Sequence, residues 1–239
     1  SVSSMQADWY REDDATGRNK WLTYFTKELP PLMDEQFHGT GTDAIAGISM
    51  SGGPALNIAS LEPERFAAAA SYSGCPATSG VLGDTYVRQA LKLNGADPHK
   101  MWGSSSNPAW IAHSPVLHLD ALEDTKLFIS AAQGVPGAID DTKTSSERIG
   151  PPVAIESASY ACSEYFVDRA QRAGLDVQWY PQVEGTHSWG LFEKSMRKSW
   201  GVIGPALDVQ PFERETPVTK APVPEETPQP VGGSAGSSG

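Results

Sequence analysis

Ser49 and Ser51 stand two residues apart in GISMSGGPALNIAS, a glycine-rich break between two apolar runs. A nucleophilic serine on a strand-to-helix turn needs small residues two before and two after it, so that neighbouring backbones can approach. Ser49 has Gly47 before it and Ser51 after; Ser51 has Ser49 before it and Gly53 after. Position relative to the apolar run separates them. AIAGI leads directly into Ser49, which puts Ser49 at the bend and Ser51 in the first turn of the following helix. The unpaired N–H groups of a helix start favour a developing anion there, and the Met50 N–H is the expected oxyanion donor. The competing reading is a glycine-rich turn capped by serines.

A serine nucleophile needs a base, and on an α/β sheet the chain order is nucleophile, acid, then a histidine after the last strand. Of five histidines, His187 alone follows the last apolar run, in PQVEGTHSWG. His38, His99, His113 and His118 lie elsewhere and read as surface or loop residues. For the acid, the residues offer Asp140 and Asp141, in the loop just beyond LFISAAQGV.

The elements that must position these groups alternate apolar runs with amphipathic stretches, the pattern of a parallel sheet wrapped by helices. TDAIAGIS, FAAAASYSG, TKLFISAAQG and LDVQWYPQV read as strands. Helices are expected over residues 18–29, ended by Pro30-Pro31, over 53–61, over 156–173 with Gly174 as the stop, and over 189–203. Residues 102–122 read as loop and short helix. Length and a 39% hydrophobic content suit one domain, assigned to residues 1–210. From Pro211 to the end, six prolines give way to glycine and serine, a composition that cannot bury enough surface to offset its ordering entropy. Residues 211–239 are therefore expected to be a tail or linker. A net charge of −11 repels phosphate backbones and anionic membranes, which excludes nucleic acid as an expected partner. No run approaches the roughly 18 apolar residues of a membrane span. The two cysteines, Cys75 and Cys162, are too few for a disulfide scaffold; they read as buried thiols, or as one bridge if the protein is exported.

Three segments, GISMSGGPALNIASLEPERFAAAASYSG, SSSNPAWIAHSPVLHLDAL and GTHSWGLFEKSMRKSW, resemble the mycolyltransferases of the antigen 85 type, exported esterase-fold enzymes of mycolic-acid-bearing bacteria. ADWYRED and KWLTYFTKELPPLM resemble the same family just upstream of the nucleophile strand. The resemblance implies an α/β-hydrolase fold, Ser49 as nucleophile, the Met50 N–H as oxyanion donor, His187 as base and Glu156 as the acid, ahead of Asp140 and Asp141. Ser51 stands where the family usually has alanine. The implied reaction is transfer of a mycolyl group from trehalose mycolate to a second trehalose mycolate or to cell-wall arabinogalactan through a seryl acyl-enzyme, without metal or organic cofactor. Trp110, Ser188 and Trp189, with Trp102 and Phe192, are expected to line the acyl or sugar site. A secreted protein of the cell envelope is implied, peripheral to the mycolate layer, monomeric, with a Cys75–Cys162 disulfide tethering the acid's helix to the sheet.

The family's fold begins with several strands that have no counterpart here, and these normally supply the second oxyanion donor and a sugar-holding arginine. An N-terminally incomplete domain is the expectation, with circular permutation as the lesser option and TDAIAGIS left as an exposed apolar edge. Two other functions stay open: a secreted carboxylesterase or thioesterase of the same fold, and a non-catalytic binding module.

Overall fold

The four apolar runs become strands in the computed structural model, which describes residues 4–140 and 151–209. They are β1 (Asp43–Ile48), β2 (Phe66–Tyr72), β3 (Lys126–Val135) and β4 (Val177–Glu184). The sheet order is β1-β2-β3-β4, every pairing in it parallel, with Ile45 opposite Ala69, Ala70 opposite Phe128 and Ile129 opposite Trp179. β2 and β3 are buried on both faces and so lose the polar alternation of a half-exposed sheet, reading as continuous apolar runs, whereas β1 and β4 at the two edges are largely half-exposed. In β2 the four alanines of FAAAASY favour a helix, yet the segment is extended because β1 and β3 bracket it.

Eight α-helical segments surround the sheet among the described residues: α1 (Trp21–Thr23), α2 (Leu29–Phe37), α3 (Gly52–Leu61), α4 (Gly80–Lys92), α5 (Pro98–Trp102), α6 (Ala109–Ala112), α7 (Pro151–Arg172) and α8 (Trp189–Ala206). On one face, Leu56 and Ile58 of α3 and Phe166 and Val167 of α7 close over Leu127 and Ile129. On the other, Ile203 of α8 meets Ala68, Ala70, Tyr72 and Phe128, the alternate residues of the same strands. A separate cluster joins Met5, Trp9, Val87, Leu91, Met101, Trp102 and Trp110, tying the N-terminal segment to the long excursion between β2 and β3.

Three helix boundaries depart from expectation. Pro30-Pro31 do not stop the first helix. A π-turn over Tyr24–Glu28 lets the Leu29 N–H bond the Tyr24 carbonyl, and the prolines then fall in the first turn of α2, where a missing N–H costs nothing. The helix carrying Glu156 starts at Pro151, so this residue lies in its second turn rather than at its N-terminus. α8 runs on to Ala206 with Pro205 in its last turn. α4 was not expected at all, and it proves central to the site. β1 forms one edge of the sheet, as expected. No helix among the described residues is long and apolar enough to cross a membrane. The 211–239 segment and Asp141 lie outside the described residues.

Candidate active site

β1 ends at Ile48, and the chain turns at Ser49 with φ of 56° before a 3-10 turn over Ser49–Ser51 leads into α3. A non-glycine residue in the left-handed region costs on the order of 1–3 kcal/mol, so the surroundings must hold it there. Gly47 is part of that hold: a side chain on it would drive its Cβ into the Ser51 carbonyl oxygen. Gly53 meets the Cys75 carbonyl in the same way, which seats the start of α3 tightly on the segment following β2. The result is a serine hydroxyl thrust out where β1 ends, at the N-terminal turn of α3.

His187 comes to this hydroxyl from the loop after β4, with Nε2 2.6 Å from Ser49 Oγ. Its Nδ1 lies 2.7 Å from Oε2 of Glu156. A carboxylate oxygen only accepts, so Nδ1 carries the proton and donates to Glu156, which leaves Nε2 to accept from the serine hydroxyl. Glu156 is fully buried. Its other oxygen, Oε1, accepts from the Ser73 hydroxyl and from the Ala132 N–H, each at 2.7 Å. The ring edge of Phe192 packs against the imidazole, centroids 4.9 Å apart.

Asp140 takes a different place from the one offered by the sequence. Its carboxylate accepts from the Thr186 N–H and hydroxyl, the Ser188 hydroxyl and the Gly137 N–H, so it grips the residues on either side of His187. Burial alone would push its carboxyl up, but these hydrogen bonds outweigh it and hold the group below the usual aspartate value. Glu156, not Asp140, is the carboxylate on the imidazole Nδ1.

An apolar cleft of about 720 Å3 opens beside the serine. One wall is α4, through Leu82, Tyr86 and Ala90, continued by Leu93 just past its end; the other is the first half of α7, through Ala154, Ile155 and Ala158. Ser49, Met50 and His187 also line it, so the reacting hydroxyl and imidazole open onto the cleft. The Tyr86 phenol faces Ser49 and Ser159, and burial pushes it up from its ordinary value. Sequence reasoning missed Tyr86 together with its helix; a usable signal was Leu82, Tyr86, Gln89 and Leu93, spaced three to four residues apart.

Not every expected lining residue reaches the cleft. Trp110 is 1% exposed in the cluster with Trp9 and Trp102, its indole edge-on to Trp102 and covered by the Arg88 guanidinium. An aromatic in a loop-rich stretch fills a core here because the N-terminal segment folds over it. Ser188 is buried as well; it caps α8 by accepting from the Leu191 N–H and donates to Asp140, so no surface of it is left for substrate. Trp189 is 78% exposed and stacks edge-on to Phe192, at the margin of the site. Cys75 and Cys162 are joined in a disulfide.

A parallel sheet with a left-handed serine turn after β1 and a histidine loop after β4 is the α/β-hydrolase arrangement. The family model of putative esterases matches residues 1–201, and the chain belongs to that family. It is 30% identical over 204 residues to the diacylglycerol acyltransferase/mycolyltransferase Ag85C of Mycobacterium avium, a match covering 81% of this chain and 56% of that protein. The chain thus spans little more than half the length of that relative. Its fold is shared with solved structures, among them these two. MPT51 (FbpC1) of Mycobacterium tuberculosis superposes with a TM-score of 0.70 at 22% identity, over 86% of this chain and 74% of that one. FphF, a fluorophosphonate-binding serine hydrolase of Staphylococcus aureus, gives 0.60 at 17% identity, over 86% and 68%.

Proposed function

We propose that this chain carries a seryl acyl-transfer site, with Ser49 as nucleophile, His187 as general base, Glu156 as the group that orients and stabilises the imidazolium, and the Met50 N–H as an oxyanion donor. The observation that carries this reading is the unbroken series Glu156–His187–Ser49 at 2.7 and 2.6 Å, ending at a strained turn that opens on an apolar cleft. His187 takes the Ser49 proton as Oγ attacks an ester carbonyl; the tetrahedral oxyanion collapses, and His187 returns the proton to the departing alcohol. The acyl chain lies between α4 and α7. A second alcohol then gives its proton to the same histidine and takes the acyl group, restoring the serine.

The likeness to the mycolyltransferases supports a finer assignment: a mycolyl group moved from trehalose mycolate to a second trehalose mycolate or to arabinogalactan, at the cell envelope. Trp189, exposed beside Phe192, offers a face for the sugar. The Cys75–Cys162 bridge suits an oxidising compartment outside the cytoplasm. Favouring a sugar hydroxyl over water must come from positioning the acceptor against the acyl-enzyme.

The test is covalent labelling with a fluorophosphonate on the full chain and on Ser49→Ala and Ser51→Ala. Labelling should vanish in the first variant and persist in the second. Labelling retained in Ser49→Ala overturns the assignment of the nucleophile. Release of acyl groups to trehalose faster than to water separates transferase from esterase.

A further inference from the structure

Ser73 is the residue immediately after β2, 1% exposed, with φ of 51°. Its N–H bonds the Ser130 carbonyl at 2.7 Å, which fixes the backbone to β3, and its hydroxyl donates to Oε1 of Glu156 at 2.7 Å. The backbone conformation here suits glycine, which carries no Cβ penalty in the left-handed region. A serine at this point places a hydroxyl donor against a buried carboxylate at a cost in backbone strain.

Two further ties bind the same short segment to the helix that carries Glu156. The Ser163 hydroxyl donates to the Gly74 carbonyl at 3.1 Å, and Cys75 is bonded to Cys162. Glu156, Cys162 and Ser163 all lie on the buried face of α7. The start of α3 packs on this segment from the other side, through Gly52 and Gly53. Residues 73–75 therefore join the helix that follows the serine to the helix that carries the carboxylate.

We propose that Ser73 is a positioning residue for this site: its hydroxyl occupies Oε1 so that the Glu156 carboxylate is locked in the rotation that presents Oε2 to His187 Nδ1. The terminal torsion of a glutamate is broad and roughly two-fold, so one N–H from Ala132 alone does not fix it. The donor adds to the strained turn at Ser49 a second left-handed serine whose hydroxyl serves the same series of hydrogen bonds. The inference rests on the acyl-transfer reading above.

The test compares Ser73→Ala and Ser73→Gly with the unaltered full chain in three measurements: the rate of Ser49 phosphonylation, kcat and KM on a p-nitrophenyl ester, and the low-field proton NMR signal of the imidazole N–H bonded to Glu156. Loss of a hydrogen bond to a charged group predicts labelling and kcat lower by about 10- to 100-fold, with KM unchanged. The low-field signal should move upfield or broaden. Ser73→Gly relieves the left-handed backbone, so its Tm should equal or exceed that of the unaltered chain while its labelling stays slow; this variant decides the matter if Ser73→Ala folds poorly. Labelling at the unaltered rate in Ser73→Gly, or an unmoved low-field signal, overturns the proposal and leaves the hydroxyl a packing group. If the unaltered chain itself fails to label, the acyl-transfer reading falls, while the NMR comparison still reads the link from Ser73 through Glu156 to His187.

Discussion

Two buried carboxylates serve one histidine in different ways. Glu156 bonds the ring, whereas Asp140 bonds the backbone and hydroxyls of the residues flanking it. Asp140 thus acts on the shape of the loop. Replacing it by asparagine turns one acceptor oxygen into a donating NH2, so the donors on that side must turn or go unpaired and the loop loses part of its hold. Asp140→Asn should lower stability by about 1–3 kcal/mol in urea unfolding. The pH dependence has a definite sign. The native carboxyl titrates below its unfolded value of about 3.9, so its contribution is complete above that pH and is lost as the pH falls toward the native value. The variant should lack that portion of the acid-induced loss, measured as Tm against pH. The place of Glu156 was given by the family resemblance, whereas that of Asp140 was not legible in the sequence. Asp140 sits in the loop where an acid is expected, and only the geometry of Thr186 and Ser188 shows it turned to the loop's own donors. Ser73 gave no signal, because a serine after a strand carries no mark of what lies opposite it.

At the scale of elements, β2, β3 and the helix after the elbow were readable because burial makes their sequences nearly apolar throughout, while β1 and β4, half-exposed at the sheet edges, still carry Ile45, Ile48, Val177, Trp179 and Tyr180 as strand formers. α4 was hidden for the converse reason. Only Gly83, Val87 and Leu91 of its residues are buried, one glycine begins it and another falls in its first turn, and much of its remaining surface faces a cleft instead of a core. The prolines at 30 and 31 misled because a stop signal assumes unbroken α geometry, which the preceding π-turn suspends. Trp110 misled because residue type does not reveal which side of a helix will be covered. The walls of the cleft carry a prediction of their own. Ala90→Trp on α4 should fill the space opposite Ile155 and raise KM for long-chain esters at least about tenfold, the effect of roughly 1.4 kcal/mol of lost apolar contact. Turnover of an acetyl ester should change little. Equal losses on short and long esters would place the acyl chain elsewhere.

Across the whole molecule, the Cys75–Cys162 bridge closes a separation of 87 residues that includes β3 and nearly all of the excursion packed around Trp110. In the loop-entropy model such a closure contributes about 4–5 kcal/mol, a large fraction of the stability of a domain this size. The double variant Cys75→Ala/Cys162→Ala should therefore unfold at markedly lower denaturant concentration, with reductant producing the same shift in the unaltered chain. A midpoint unchanged by reductant would show that the surrounding contacts hold the segment without the bond. β1 leaves an apolar strand at the sheet margin, where charge is the usual protection against unwanted pairing. The excess negative charge of the chain supplies part of that protection through mutual repulsion.

The serine, imidazole and carboxylate are anchored to the sheet and to helices with long buried faces, but α4 rests on three buried residues. Warming should loosen that wall first, so that amide hydrogens in residues 80–92 exchange with solvent well before those of β2 and β3. Grip on the acyl chain and capacity for bond making would then fail at different temperatures: KM climbs while the reaction of Ser49 with a small phosphonate is still fast.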